Sequence, residues 1–389
     1  MKPLLVFGAR PNFMKTAPLY RAMRAAGGFD PVLVHTGQHF DRAMSDDFIT
    51  ALELPAPDVH LGVGPGSQAW QLAEIIKRME AVLLEVRPDL TVVVGDVSST
   101  LAAALVSVTL DIPVAHVEAG LRSRDEAMPE ERNRMLVDRV SSYLFTPSAD
   151  AGENLAAEGI PTDRVFHVGN VMIDSLHWVL PRLSLAATRK KMGVGAGRYG
   201  VVTLHRPTNV DDPATLGRLI GALAEVAVRL PLFFPLHPRT RRRIDEMDID
   251  LRRMAIRALP PVGYPDFIAL LAGASLVLTD SGGVQEEATV LGAPCLTLRD
   301  NTERPVTILC GGNELVGRDP ERIVAAARRR LAAPRIATAR PPLWDGRAAE
   351  RIVDVLADIP PTTASTAGSS AHGGLDRTSE TRVLEETVR

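Results

Sequence analysis

Apolar residues in this chain fall into short unbroken blocks, and the longer stretches between them carry an apolar residue at every third or fourth position. A block without alternation predicts a strand buried on both faces, and the 3.6-residue spacing predicts a helix. In the first half the blocks are residues 4–8, 31–37, 90–96 and 112–120, followed by the short YLFTPS. Between them the helices are MKTAPLYRAMRAAG, ended by Gly27-Gly28, then 67–86, stopped by Arg87-Pro88, then STLAAALVSVTL, 130–142 and 149–158. The pattern restarts at residue 198, with strands at 198–205, LFFPLHP, ALPPVGY, 275–281 and PCLTLRD. Its helices are 213–230, a charged 240–255, PDFIALLAGA, VQEEATVLG and ERIVAAARRRLA. This alternation predicts an α/β protein of two doubly wound parallel-sheet units, with a seam near residues 170–198. Residues 344–358 form a last helix, and the Ser-, Thr- and Gly-rich stretch from Pro360 to the end reads as a disordered tail.

Composition narrows the function. At 389 residues the chain exceeds what one core usually serves, and 46% apolar with 23% charged residues is ordinary globular usage. A net charge of −3 gives no reason to expect nucleic acid or an anionic membrane as partner. No stretch has the roughly 18 apolar residues of a membrane span, and the N-terminal block is too short for a signal sequence. The expectation is a soluble protein of the cytoplasm. Cys295 and Cys310 have no metal-ligand spacing and read as thiols in a reducing compartment.

Ligands of open α/β sheets bind beyond the carboxyl ends of the strands. Those ends supply Arg10 and Lys15, then Asp96, then Glu118 to Arg122, and in the second half His205-Arg206, His237 and Asp280 to Gly283. Two glycines between strand and helix in TDSGGVQEE suit phosphate at a helix start, with Glu286 or Glu287 for ribose hydroxyls; a tight capped turn would look the same. The first loop lacks G-x-G-x-x-G, against a dinucleotide cofactor, and offers Arg10 and Lys15 for a pyrophosphate unless both are merely solvated. Asp96, Glu118 and Glu130 are three carboxylates suited to proton transfer. The bland alternatives are a helix-start residue for Glu130 and a buried pair with Arg122 or Arg134 for Glu118. His39, His116, His205 and His237 have no metal-binding spacing, so no metal and no other cofactor is expected.

In order, GARPNFMK, TGQH, GDVSST, HVEAGLRS, MPEERNR, GNVMID, LHRPTNVD, LVLTDSGGVQEEA and LRDNTERP resemble the non-hydrolysing UDP-N-acetylglucosamine 2-epimerases, over about residues 3–357. The resemblance implies the GT-B fold, two Rossmann-like domains with the site between them. The first would be residues 1–172, completed by the crossing helix 344–358, and the second 173–343. It further implies that Asp96, Glu118, Glu130 and His205 are catalytic. Arg10, Lys15, Arg134, Phe267, Ser281, Gly282, Gly283, Glu287 and Arg304 would bind the UDP-sugar. Gln38, His39, Gln71 and His237 match positions implicated in a second, regulatory UDP-GlcNAc site. The implied reaction is anti elimination of UDP to 2-acetamidoglucal and re-addition, giving UDP-ManNAc, by a homodimer without cofactor. Such an enzyme would serve polysaccharide biosynthesis.

This chain departs from the pattern at Asn12 and Phe13, where many members carry an acid, at Ser98, where Asn is usual, and in HRPTN for HRREN. These differences bear on the sugar's substituents, so epimerisation of a uronic or diacetamido UDP-sugar, or hydrolytic release of ManNAc, stands as the alternative. A GT-B glycosyltransferase shares the fold and the TDSGG loop but leaves HVEAGLRS and MPEE unexplained. A sensor that kept binding and lost catalysis has no reason to retain all three carboxylates.

Overall fold

Among the described residues thirteen short strands form two sheets, and every strand pair is parallel. The computed structural model describes residues 1–38, 50–333 and 339–359, with the side chain of Arg10 excepted. The regions expected to hold His39 and the tail beyond Pro360 lie outside the described residues. The first sheet contains β1 (Pro3–Phe7), β2 (Val32–His35), β3 (Val59–His60), β4 (Leu90–Val94), β5 (Val114–Val117), β6 (Tyr143–Thr146) and β7 (Val165–His167), in the order 3-2-1-4-5-6-7. The second contains β8 (Gly200–Thr203), β9 (Leu232–Pro235), β10 (Ile256–Leu259), β11 (Leu276–Thr279), β12 (Cys295–Thr297) and β13 (Asn313–Leu315), in the order 10-9-8-11-12-13. Each order reverses once, between β1 and β4 and between β8 and β11, and such a reversal opens a crevice at the strand ends.

The main strands are buried from end to end, as their unbroken apolar blocks predict. The strands β3, β7 and β13 have no such block, being two or three residues long at the sheet edges. The charged helix expected over 240–255 is corrected to Pro238–Glu246 followed by a 3-10 turn at Leu251–Met254. Asp248 between them has φ 51°, and the Asp250 side chain caps the turn. Helix Val171–Val179 occupies the expected seam.

One apolar cluster runs from the first sheet to the second, through helix Val171–Val179 and the final helix Ala348–Ala357. Both helices pack on helix Arg10–Ala26, and Val171–Val179 also packs on Gly282–Leu291. Two further clusters fill the other faces of the sheets. Trp344 is 2% exposed and its indole N–H donates to the Pro147 carbonyl at 2.8 Å, which anchors the chain just before the final helix. Asp174 caps that helix, accepting from the Ala348 and Ala349 amides at 3.1 and 2.7 Å. Among the described residues no helix is long and apolar enough to cross a membrane.

Burial raises the Asp174 carboxyl from 3.8 to about 6, although the two capping amides pull it down. The native state therefore keeps this proton when the unfolded chain has lost it. The group's stabilisation is whole below 3.8 and declines as pH rises through about 6. Urea titrations at several pH values are expected to show the advantage of wild type over Asp174→Ala shrinking between those two values.

Candidate active site

The crevices of the two sheets face each other, and charged groups from loops far apart in the chain are assembled there. After β5 the backbone turns sharply at Glu118, with φ 72°, a left-handed conformation that non-glycine residues rarely adopt. Under this turn His116 is fully buried, its Nε2 donating to the Gly95 carbonyl at 2.8 Å and its Nδ1 facing Asp138 at 2.6 Å. Asp138 also accepts from the Gly120 amide at 3.1 Å and pairs with Arg122 at 2.8 Å. The loop that presents Glu118 is thereby tied to helix Pro129–Val140.

Glu118 is 7% exposed, and each of its oxygens meets a cation. Lys15, on the helix after β1, donates to Oε2. Arg304, which follows β12 of the other sheet, donates to Oε1 at 2.8 Å. Gly95 makes room for the lysine, since a Cβ there would lie 2.9 Å from Lys15 Nζ. Asn12, one turn earlier, caps its own helix through the Ala9 amide at 3.0 Å and donates to the Val94 carbonyl at 2.9 Å.

Asp96 pairs with Arg134, whose other amino group holds the buried Glu131. Burial works to raise the Asp96 carboxyl, but Arg134 and Lys15 outweigh it and hold the group below its ordinary value. Glu131 fixes the preceding loop by accepting from the Ser123 and Arg124 amides at 2.9 and 2.8 Å. Its neighbour Glu130 is half-buried in the first turn of the same helix, and its side chain makes no hydrogen bond or ion pair among the described residues.

On the second sheet, His205 follows β8 and its Nδ1 lies 2.8 Å from Asp280, which follows β11. Asp280 is fully buried and also accepts from the His205 and Arg206 amides and from Asn209 Nδ2 at 3.1 Å. Burial would raise its carboxyl, and His205 and the amides more than offset this. The imidazole is thus pinned at one nitrogen and 40% exposed toward the cleft.

Ser281 stands at the cap of helix Gly282–Leu291, whose first amides form an anion-attracting start. Gly282 lets the Arg304 guanidinium cross directly over that start, and a Cβ would collide with it. Gly283 faces Met172 of the seam helix, where a Cβ would lie 2.9 Å from the methyl. Arg304 further pairs with Glu286 and with Glu303, both at 2.6 Å. Burial drives Glu286 up to about 7 despite Arg304, and Glu287 up to about 8 despite the neighbouring Tyr264 hydroxyl. Phe267 lies part-buried on the same helix as Tyr264.

Of the residues expected at a regulatory site, Gln71 Nε2 donates to the Gln38 and Gly64 carbonyls at 3.4 and 3.2 Å. Gln38 Oε1 in turn accepts from Ser99 Oγ at 2.7 Å. His237 is exposed and follows β9 of the second sheet, at the cap of helix Pro238–Glu246, its ring 6.1 Å from that of His205. The sequence did not single out Glu131, Asp138, Arg299 or Glu303. The nearest signals were the MPEERNR and LRDNTERP runs that contain three of them. Among the described residues no group of three or more His, Cys, Asp or Glu could hold a metal ion.

Comparison with known proteins gives a consistent picture. Residues 21–357 match the family model described as UDP-N-acetylglucosamine 2-epimerase. A UDP-N-acetylglucosamine 2-epimerase of Methanocaldococcus jannaschii is 40% identical over 92% of this chain and 99% of its own length. A UDP-2,3-diacetamido-2,3-dideoxy-D-glucuronate 2-epimerase of Pseudomonas aeruginosa is also 40% identical, over 92% of this chain and all (100%) of its own. The M. jannaschii enzyme's crystal structure with UDP-GlcNAc and UDP superposes with a TM-score of 0.86, covering 92% of this chain and 99% of that one at 40% identity. The UDP-GlcNAc-bound enzyme of Neisseria meningitidis gives 0.85 at 32% identity, covering 92% and 100%. By fold, by the order of its motifs and by these similarities, the chain belongs to the UDP-N-acetylglucosamine 2-epimerase family.

Proposed function

We propose that this protein interconverts UDP-GlcNAc and UDP-ManNAc by eliminating and re-adding UDP. The observation that carries this reading is Glu118, a buried carboxylate held between Lys15 of one sheet edge and Arg304 of the other, with Asp96 and Arg134 alongside. A carboxylate takes the proton from carbon 2 of the sugar. The C–H electrons become the carbon 1–carbon 2 double bond, and the carbon 1–oxygen bond breaks with its pair going to UDP. The bound 2-acetamidoglucal is then attacked at carbon 1 by the UDP oxygen, while a proton reaches carbon 2 from the opposite face. Asp96, Glu118 and Glu130 are the groups for the two proton transfers.

Charge grows on the diphosphate as it leaves. Lys15, Arg304 and the amides at Ser281 to Gly283 offset it, joined by Arg10, and His205 assists UDP as it departs and returns. Glu287 takes the ribose hydroxyls, Phe267 lies by the uracil and Arg134 sets Asp96. The UDP-GlcNAc-bound structures of similar enzymes support a UDP-sugar as the ligand. The same reading assigns residues 1–172 with 344–358 to the sugar-facing domain and 173–343 to UDP binding, in a cytoplasmic homodimer serving polysaccharide biosynthesis. Contact between Gln71 and Gln38 supports grouping those two, and the same reading adds His39 and His237 to them at a regulatory UDP-GlcNAc site. The equal similarity to a diacetamido-glucuronate epimerase favours, as the second reading, a modified UDP-sugar.

Incubation with UDP-GlcNAc in D2O is expected to yield UDP-ManNAc carrying deuterium at carbon 2, followed by proton NMR; free ManNAc would instead mark a hydrolysing enzyme. Glu118→Gln and Asp96→Asn are each expected to lower kcat by about 10² to 10⁴, the usual range for a lost proton-transfer group. Turnover that survives both substitutions refutes the mechanism. Asp280→Asn is expected to lower kcat more than it raises KM and to shift the pH profile, because it frees the His205 ring rather than the substrate; an unchanged profile would reduce Asp280 to a structural group.

A further inference from the structure

Two arginines at the cleft, one part-buried and one buried, have less negative charge around them than their neighbours have. Arg206 follows β8 and Arg299 follows β12, so they flank the strand that leads to the Gly-Gly helix. Their guanidiniums converge on one atom, the Met128 sulfur, each at 3.9 Å. A thioether is a weak acceptor. Arg299 is 6% exposed, and its Nη1 and the Arg206 Nε are buried without a hydrogen-bond partner. Such orphaned donors carry a desolvation penalty that an anion would relieve.

The surrounding charges isolate this pair. Arg134 is answered by Asp96 and Glu131, and Arg304 by Glu118 and Glu286. That leaves Glu303 for both Arg206, at 3.3 Å, and Arg299, at 2.8 Å, and Glu303 is shared with Arg304 as well. Asn301 adds one neutral acceptor to Arg299 at 3.1 Å. Burial lowers the Arg299 pKa, and although Glu303 opposes this, Arg206 and Arg304 add to it.

We infer that Arg206 and Arg299 form a second anion subsite, which takes a carboxylate on the sugar of the nucleotide sugar in the place now filled by the Met128 sulfur. The chemical class is a hexuronate. Position argues for the sugar over the diphosphate. Lys15, Arg304 and the helix start serve the phosphates, whereas Arg206 and Arg299 lie across Glu303 from Arg304 and meet the residue two before Glu130. The proposal rests on the second reading above, a modified UDP-sugar in the same epimerase site, while the affinity of the subsite can be read without turnover.

Calorimetry on the full chain, with UDP, UDP-GlcNAc and the uronate counterpart UDP-2-acetamido-2-deoxy-glucuronate, tests it. The uronate is expected to bind at least about tenfold more tightly than UDP-GlcNAc, as one charge-assisted contact warrants. Arg299→Met and Arg206→Met should each remove most of that ratio, and Arg299→Lys should keep part of it, with melting temperatures confirming that the variants fold. Equal binding of the two sugars by the unmodified protein overturns the proposal. So does a ratio that persists in both methionine variants, and so does a loss of UDP binding as large as the loss of uronate binding. The epimerase reading fails by a different result, the absence of exchange at carbon 2 in D2O.

Discussion

The site is organised around a carboxylate that cannot be left alone. Glu118 sits where water barely reaches it, and a buried charge without partners costs several kcal/mol, roughly 3–5 when one partner of a pair is deleted. Its two partners come from different sheets, Lys15 from the first and Arg304 from the second. Satisfying this one group therefore fixes the relation of the two halves at the cleft. The left-handed turn at Glu118, the glycine opposite Lys15 and the His116–Asp138 brace beneath are local conditions for that arrangement.

Arg304 extends the constraint into the second half. It reaches Glu118, Glu286 and Glu303 at once, so the loop after β5 of one sheet, the helix Gly282–Leu291 of the other and the loop after β12 share one cation. Glu303 is held well below its ordinary value, because Arg304, Arg299 and Arg206 overcome the effect of burial. A diphosphate entering here competes with acids already in place. Binding therefore exchanges ion pairs and adds few new ones.

Much of this was legible in the sequence because it is local. Unbroken apolar blocks mark the central strands, and the residues just past them lie at the strand ends that a doubly wound sheet turns into a crevice. The short edge strands β3, β7 and β13 were not legible, since two or three residues carry no period. The helix over 240–255 was overextended because its charged residues continue past Glu246, while the left-handed Asp248 and the Asp250 cap are decided by backbone geometry. Among site residues, Glu130 and Glu131 are adjacent in one acidic run. One step along a helix turns about 100°, which leaves the first half-exposed and drives the second into the Arg134 pair. Glu303 and Arg299 were invisible for another reason: their significance lies in Arg206, 97 residues from Glu303 in the chain, and in Met128, 171 residues from Arg299.

The seam helix gives the two halves unequal borders. At Val171–Val179 and Ala348–Ala357 they are joined by continuous apolar packing, insensitive to salt. Across the cleft they meet through the Glu118–Arg304 ion pair and the contacts of Arg206 and Arg299 with the Met128 sulfur. A molecule bordered this way is bound like a book along a greasy spine, with the ionic edge as its clasp. Because Glu118 and Arg304 are both buried, dissolved salt barely screens the clasp, and it yields instead to an anion in the cleft that competes for the cation.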